Sequence, residues 1–173
     1  SKPDYTQAGF SYSVTDGAPI VTGPLKLPED RLGRKTTATF ADGDRMPVQY
    51  AVVSKDEILP SNDQNGDTNK DYSPSYQGLR VVIGNGRTAG LQLGYSKGTM
   101  GDYQKELKND DLHGVSQEVI KNIKDPLLIR VAPQEEVAKY PNIGDKGNIK
   151  ATAELSVLEQ AKNDANRVNL QGL

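Results

Sequence analysis

The residues best suited to chemistry lie in the segment Gly84-Asn85-Gly86-Arg87-Thr88, which follows an apolar run over 79–83. Glycine tolerates a positive φ and lets the main chain approach a ligand closely. The first amides of a helix that begins here have no partner within the helix, and they attract an anion. Arg87 adds a planar, permanently charged guanidinium. This arrangement is typical of a turn that binds phosphate through all five residues.

The motif is short, and an ordinary tight turn with an exposed arginine has the same sequence pattern. It has neither the spacing of the loop Gly-x-x-x-x-Gly-Lys-Ser/Thr nor that of the six-position dinucleotide fingerprint. A phosphate site and a plain turn therefore both stay open on the motif alone. In the phosphate reading, Arg87 and Asn85 are the candidate catalytic residues.

Basic residues outside the turn are candidate contacts for a nucleic-acid backbone. Arg80 and Lys97 flank the turn along the chain, and Arg130 interrupts the apolar run over 126–132. An arginine inside such a run requires a ligand or a protein partner, because an unpaired buried charge is costly. A salt bridge at the edge of the core is the alternative for Arg130.

The sequence does not define a metal site. Acidic and amide residues alternate over 63–71, but a calcium loop counted from Asp63 would have Thr68 and Pro74 where glycine and glutamate are required. We expect a polar surface loop there, and a surface position for His113. Four carboxylates are candidate ligands for a divalent ion such as Mg²⁺ or Mn²⁺, but their spacing along the chain does not define a site: Asp16, Asp42, Asp44 and Asp145.

The elements that would position these residues are both strands and helices. Strand-like segments lie at 18–22, 36–40, 46–54, 79–83 and 126–132, and helix-like segments at 87–96, 102–110, 116–123 and 155–168. Asp42-Gly43 predicts a hairpin turn, and the continuous apolar run over 126–132 predicts a central strand. The pattern predicts an α/β (α+β) domain with a small mixed sheet and a C-terminal helix.

Composition limits the class of protein. The chain has 173 residues, 35% of them hydrophobic, and a formal net charge of −2, so a nucleic-acid contact must be focused rather than global. Cysteine is absent, which excludes disulfides and cysteine-ligated metals. No run reaches the roughly 18 apolar residues of a membrane span. We expect a soluble domain of a longer parent protein, cytoplasmic in a bacterial host and with no membrane contact.

Four segments together resemble the DdrB-like ParB domains found in large proteins of phages, plasmids and integrative elements. They are 47–53, 84–91, 126–131 and 154–165, and their order and spacing match over about 36–168. The resemblance implies a ParB/sulfiredoxin-type fold over 36–173, with 1–35 as an N-terminal extension. It also implies that Gly84 and Arg87 supply the Gly-x-x-Arg turn of ParB proteins, and that Asn148 corresponds to the asparagine of their Glu-Asn-x-x-Arg element.

Two functional classes follow from the resemblance. In the first, the domain is a ParB-like nuclease or nucleotide hydrolase of a mobile element that uses a divalent metal. In the second, it is a non-catalytic module that binds DNA or a nucleotide, with Arg80, Arg87, Lys97 and Arg130 lining the groove. A protein-interaction module is a third reading. Sulfiredoxin chemistry is excluded because the chain has no cysteine.

Overall fold

A six-stranded mixed sheet organises residues 13–146, the part of the chain that the computed structural model describes. In chain order its strands are β1 (Ile20–Thr22), β2 (Leu32–Thr39), β3 (Arg45–Ser54), β4 (Ile58–Leu59), β5 (Leu79–Ile83) and β6 (Pro126–Val131). Their order across the sheet is β2-β3-β6-β1-β5-β4. β6 runs parallel to β1 and antiparallel to β3, so the mixed sheet predicted from the sequence is confirmed.

Four α-helices lie within the same residues: α1 (Asn85–Lys97), α2 (Gly101–Asn109), α3 (Gln117–Lys121) and α4 (Gln134–Val137). Gly98 ends α1 because its φ of +75° is the left-handed conformation of a helix C-terminus. Ser116 begins α3 as predicted, since its side chain accepts a hydrogen bond from the Val119 amide at 3.2 Å. The helix expected over 155–168 lies outside the described residues.

The core joins the sheet to the first three helices. Leu91, Leu107 and Ile120 pack with Leu127 and Ile129 of β6. β6 is buried at its first five residues, in agreement with the continuous apolar run that predicted a central strand.

Tyr103 of α2 brings a polar group into this core. Its hydroxyl oxygen accepts a hydrogen bond from the Leu128 amide at 2.9 Å, and burial raises the pKa of the phenol. The hydroxyl therefore stays neutral there and ties α2 to the central strand.

Contacts divide the described residues into two units. The larger takes 13–37 and 47–139, and the smaller takes 38–46 and 140–146. The smaller unit contains the Asp42-Gly43 turn predicted from the sequence, in which Gly43 has a φ of +93° and the Phe40 amide donates to the Asp44 carbonyl.

Two regions differ in detail from the sequence-based expectation. The sequence predicted a strand over 36–40, yet β2 begins at Leu32, so residues of the predicted extension 1–35 contribute β1 and the start of β2. The polar segment 63–71 is a loop as expected, with an isolated bridge between Asn62 and Thr68. Among the described helices, none combines the length and the apolar character needed to cross a bilayer.

Candidate phosphate-binding turn

The turn at Gly84 converts β5 into α1 over a single residue. Gly84 has φ of +93° and ψ of +28°, the left-handed conformation that other residues adopt at a cost. A Cβ at this position would lie 3.3 Å from two atoms of Pro19, so the space is also tight. The conformation and the close approach together explain why a glycine stands where the chain enters α1.

The start of α1 presents main-chain amides without a side-chain cap. Gly84 offers no capping hydrogen bond, and the first turn has no acidic residue. Thr88 is the first residue whose amide bonds within the turn, to the Gly84 carbonyl at 2.8 Å. Gly86 is exposed, and a Cβ built on it would meet nothing within 4 Å. The amides of Asn85 and Gly86 thus begin a helix at an open surface, where they can receive an anion.

Three side chains predicted for this site hold the turn in place. Thr88 is fully buried, and its hydroxyl donates to the Gly84 carbonyl at 2.9 Å. The Asn85 side-chain oxygen accepts a hydrogen bond from the Ser61 amide at 2.8 Å. The Arg87 guanidinium donates from Nη1 to the Gly17 carbonyl at 2.8 Å, ahead of β1. The groups left to face a ligand are therefore mainly those of the main chain.

The other predicted nucleic-acid contacts differ in how close they lie to the turn. Arg80 is half-buried, with its guanidinium carbon 5.9 Å from the centre of the Tyr72 ring. Lys97 is exposed at the far end of α1, about 18 Å away along the helix axis. Arg130 is only 9% exposed, and it donates to the Ala18 carbonyl, which is next to the Gly17 carbonyl that Arg87 bonds. Asn148 lies outside the described residues.

His113 is the clearest departure from the sequence reading. It was expected at the surface, but it is 1% exposed. Its Nδ1 accepts from the Val115 amide at 3.0 Å, so Nε2 carries the proton and donates to the Leu107 carbonyl at 2.8 Å. Both ring nitrogens therefore serve the structure, and no signal in the polar connection around Gly114 indicated this burial.

Of the four carboxylates considered as metal ligands, Asp42 and Asp44 lie close together, at Lys146. Within residues 13–146, no group of three or more His, Cys, Asp or Glu side chains comes together as a metal site would require. Asp42 and Asp44 both pair with Lys146, and the Lys146 ammonium lowers the pKa of Asp42. Asp16 and Asp145 are exposed.

A polar cleft alongside α1 was not anticipated from the sequence. It has a volume of about 390 Å³ and lies between α1 and the loop over 60–69. Gln92 and Ser96 line it from the helix, and amide side chains line it from the loop. The only sequence signal was the density of Asn and Gln in a segment that resembled a plain surface loop. We refer to it below as the α1 cleft.

No curated protein and no solved structure shows significant similarity to the chain. A family model, described as the ddrB-like ParB superfamily domain, matches residues 75–133. This segment contains β5, the Gly84 turn, α1 to α3 and β6. A ParB-like domain indicates, at the level of the family, a role related to DNA. The resemblance read from the sequence is therefore confirmed over residues 75–133, the part of the chain that is similar to a ddrB-like ParB superfamily domain and that carries the Gly84 turn.

Proposed function

We propose that this domain binds the phosphate groups of nucleic acid or of a nucleotide at the turn Gly84–Thr88. The observation that carries the proposal is the start of α1, which has no side-chain cap and at which a Cβ built on the exposed Gly86 would meet nothing within 4 Å. The match to a ParB-like domain includes this turn, and it supports nucleic acid or nucleotide as the source of the phosphate.

Electrostatics at the turn favour an anion. The aligned peptide dipoles place a partial positive charge at the start of α1, and Arg87 adds a full charge in the first turn. The first turn of α1 itself contains no acidic side chain. Binding of this kind reads the backbone of a nucleic acid and not its sequence.

A catalytic form of the proposal assigns Arg87 and Asn85 to cleavage of a phosphodiester or nucleotide. The described residues do not form a set of ligands that fits a resident Mg²⁺ or Mn²⁺, so we derive no step through a metal. Binding is therefore the function that the geometry supports best. Catalysis, association with further domains and a place in a mobile-element protein are extensions of it.

Substitution of Gly86 by aspartate tests the phosphate site. A carboxylate near the start of a helix does not harm the helix, because it complements the dipole. It would repel a bound phosphate from the same amides. We expect Gly86→Asp to weaken binding of a short oligonucleotide by about 10-fold or more at low salt, since a hydrogen bond to a charged group contributes about 1.5–3 kcal/mol. Fluorescence anisotropy measures the affinity.

The chain offers a matched control in Gly101→Asp. Gly101 also stands in the first turn of a helix, and a Cβ built on it would meet nothing within 4 Å. Its substitution adds the same charge elsewhere, so affinity should be retained. Equal affinities of the two variants would refute the phosphate site.

Incubation with plasmid DNA and Mg²⁺ or Mn²⁺ tests the catalytic form. If the turn cleaves DNA, Arg87→Ala and Asn85→Ala should each abolish cleavage, whereas Gln134→Ala, at an exposed position on α4, should not. Cleavage that survives both turn substitutions would contradict these roles. Binding without cleavage would establish the non-catalytic module.

A further inference from the structure

Two Asn-Gly pairs in the sequence are open to the same covalent reaction. They are Asn65-Gly66, in the loop over 60–69, and Asn85-Gly86, at the start of α1. In this reaction the main-chain nitrogen of the second residue attacks the side-chain amide of the asparagine, and glycine hinders the attack least because it has no Cβ. The structure places the two pairs in different environments, and these environments predict which pair reacts.

Asn85 is held in a conformation that prevents the attack. Its side-chain oxygen accepts a hydrogen bond from the Ser61 amide at 2.8 Å, which fixes the carbon that would be attacked. Asn85 is also the first residue of α1, whose first turn is closed by the Thr88 amide and the Gly84 carbonyl. The attack requires the asparagine backbone to rotate out of its helical conformation until the next nitrogen reaches the side chain. Asn85 must therefore lose both its hydrogen bond and its place in the helix before it reacts.

Asn65 lies in open space at the α1 cleft. It is exposed, and among residues 13–146 its side chain makes no hydrogen bond. Gly66 is exposed as well, with a φ of +88°, and a Cβ built on it would meet nothing within 4 Å. The surroundings of this pair therefore leave room for the side chain to rotate and for a ring to form.

One hydrogen bond has to open before Asn65 reacts. The Gly66 amide donates to the Asp63 carbonyl at 3.0 Å and closes a turn of four residues. The turn is at the surface of a loop, where local opening costs little free energy. Asn85, in contrast, has to disrupt the first turn of a helix that the buried Leu91 joins to the core. The barrier is therefore lower at Asn65.

We propose that Asn65 is a site of spontaneous deamidation. The Gly66 nitrogen bonds to the side-chain carbonyl carbon of Asn65 and gives up its proton, and the side-chain nitrogen leaves as ammonia. The product is a five-membered succinimide ring that joins the two residues. Water then opens the ring at either carbonyl, which leaves aspartate or isoaspartate at position 65. In total, one water molecule is consumed and one ammonia is released.

The product adds a negative charge to the α1 cleft, where Asp56 and Asp63 already contribute carboxylates. Like charges at short range repel one another, so the loop becomes less favourable in its present conformation. Isoaspartate also lengthens the main chain by one methylene group inside the turn closed by Asp63 and Gly66. We therefore expect the bridge between Asn62 and Thr68 to weaken in the modified protein.

Incubation of the folded protein at physiological temperature and mildly alkaline pH tests the proposal. Proteolytic digestion and mass spectrometry then measure the deamidated fraction at each asparagine. We expect Asn65 to react about 10-fold or more faster than Asn85, since the loss of a hydrogen bond and a helical turn adds at least about 1.4 kcal/mol to a barrier. The measurement involves no nucleic acid, so its outcome is independent of the phosphate site.

The same incubation in urea shows whether the fold causes the difference. Neither pair is protected in the unfolded chain, so the two asparagines should then react at similar rates. Equal rates in the folded protein, a faster reaction at Asn85, or an Asn65 that stays intact when folded and reacts in urea would each overturn the proposal.

Two glycine variants connect the reaction to the attacking nitrogen. Gly66→Ala adds a Cβ beside that nitrogen and should slow deamidation of Asn65 by about 10-fold, which corresponds to about 1.4 kcal/mol in the barrier. Gly43→Ala is the matched control, because Gly43 also has a positive φ, of +93°, and its Cβ would also meet nothing within 4 Å. It should leave the rate at Asn65 unchanged. An equal rate at Asn65 in both variants would refute the attack by Gly66.

Discussion

At the scale of single residues, Gly33 shows how a backbone contact selects a side chain. Gly33 lies in β2, and the Arg34 amide beside it donates to the His113 carbonyl at 2.8 Å. A Cβ on Gly33 would lie 2.0 Å from that carbonyl oxygen. His113 is buried and both of its ring nitrogens are hydrogen-bonded, so a shift of its carbonyl away from the new Cβ would disturb those bonds. The requirement for glycine at position 33 comes from this close approach.

Gly33→Ala should therefore destabilise the fold. Forcing an atom into filled space typically costs about 1–3 kcal/mol in free energy of unfolding. Urea denaturation followed by circular dichroism measures it. Gly101→Ala is the control, since its Cβ meets nothing and alanine favours the helix by about 0.4–1 kcal/mol. Equal stability of Gly33→Ala and the parent would show that the strand moves away at no cost.

At the scale of elements, the smaller unit is held by a charged and aromatic cluster. Lys146 forms ion pairs with Asp42 and Asp44 in the turn between β2 and β3, and its ammonium lies 4.8 Å from the centre of the Tyr140 ring. Phe40 meets Tyr140 edge to face, with ring centres 6.3 Å apart. Hydrogen bonds with Asp42 and Asp44 raise the pKa of Lys146, and the bond from Lys146 lowers the pKa of Asp42.

These shifts predict the pH range in which the cluster is intact. The lowered pKa of Asp42 gives stability that is present above its unfolded value of about 4 and is lost as the pH falls through the folded value. The raised pKa of Lys146 gives stability that is present below about 10 and is lost as the pH rises through the folded value. The cluster should therefore be intact between these limits.

NMR signals of the Phe40 ring report on this cluster, because the ring itself does not titrate. We expect them to move as the pH falls below about 4. Lys146→Gln should remove most of that change. Lys121→Gln, which alters an exposed pair with Glu118, should leave it as in the parent. If Lys146→Gln left the pH dependence of the Phe40 signals unchanged, the ring signals would not be reporting on the ion pairs.

At the scale of the whole molecule, the spacing of apolar residues predicted most strands and helices, because short local sequence patterns determine those elements. The apolar run of β6 and the serine before α3 are visible in a few consecutive residues. The contacts of Arg130 and His113 are not visible in this way, since Arg130 bonds to a carbonyl 112 positions away and the His113 carbonyl bonds to the Arg34 amide of β2. The α1 cleft was missed for the same reason: its two walls come from separate parts of the sequence.

Because the net charge of −2 leaves only a focused site for nucleic acid, the affinity should depend only weakly on salt concentration. A single helix start reaches one or two phosphates, and each phosphate contacted in a single strand contributes a slope of about −0.7 to a plot of log affinity against log salt. We therefore expect a slope of about −1 for the parent domain, with a flatter line for Gly86→Asp. Anisotropy titrations at several salt concentrations measure it. A slope several times steeper would require a wide basic surface in place of a focused site.

The position of β6 has a consequence for how the chain folds during synthesis. β6 is the last strand in the described sequence, yet it lies between β3 and β1 in the sheet. Until residue 131 has left the ribosome, the edges of β3 and β1 that face β6 in the finished sheet have no strand to pair with. Before β6 is synthesised, the unpaired edges of β1 and β3 can therefore pair with strands of neighbouring nascent chains on the same polysome. This risk of aggregation ends when β6 takes its place between them.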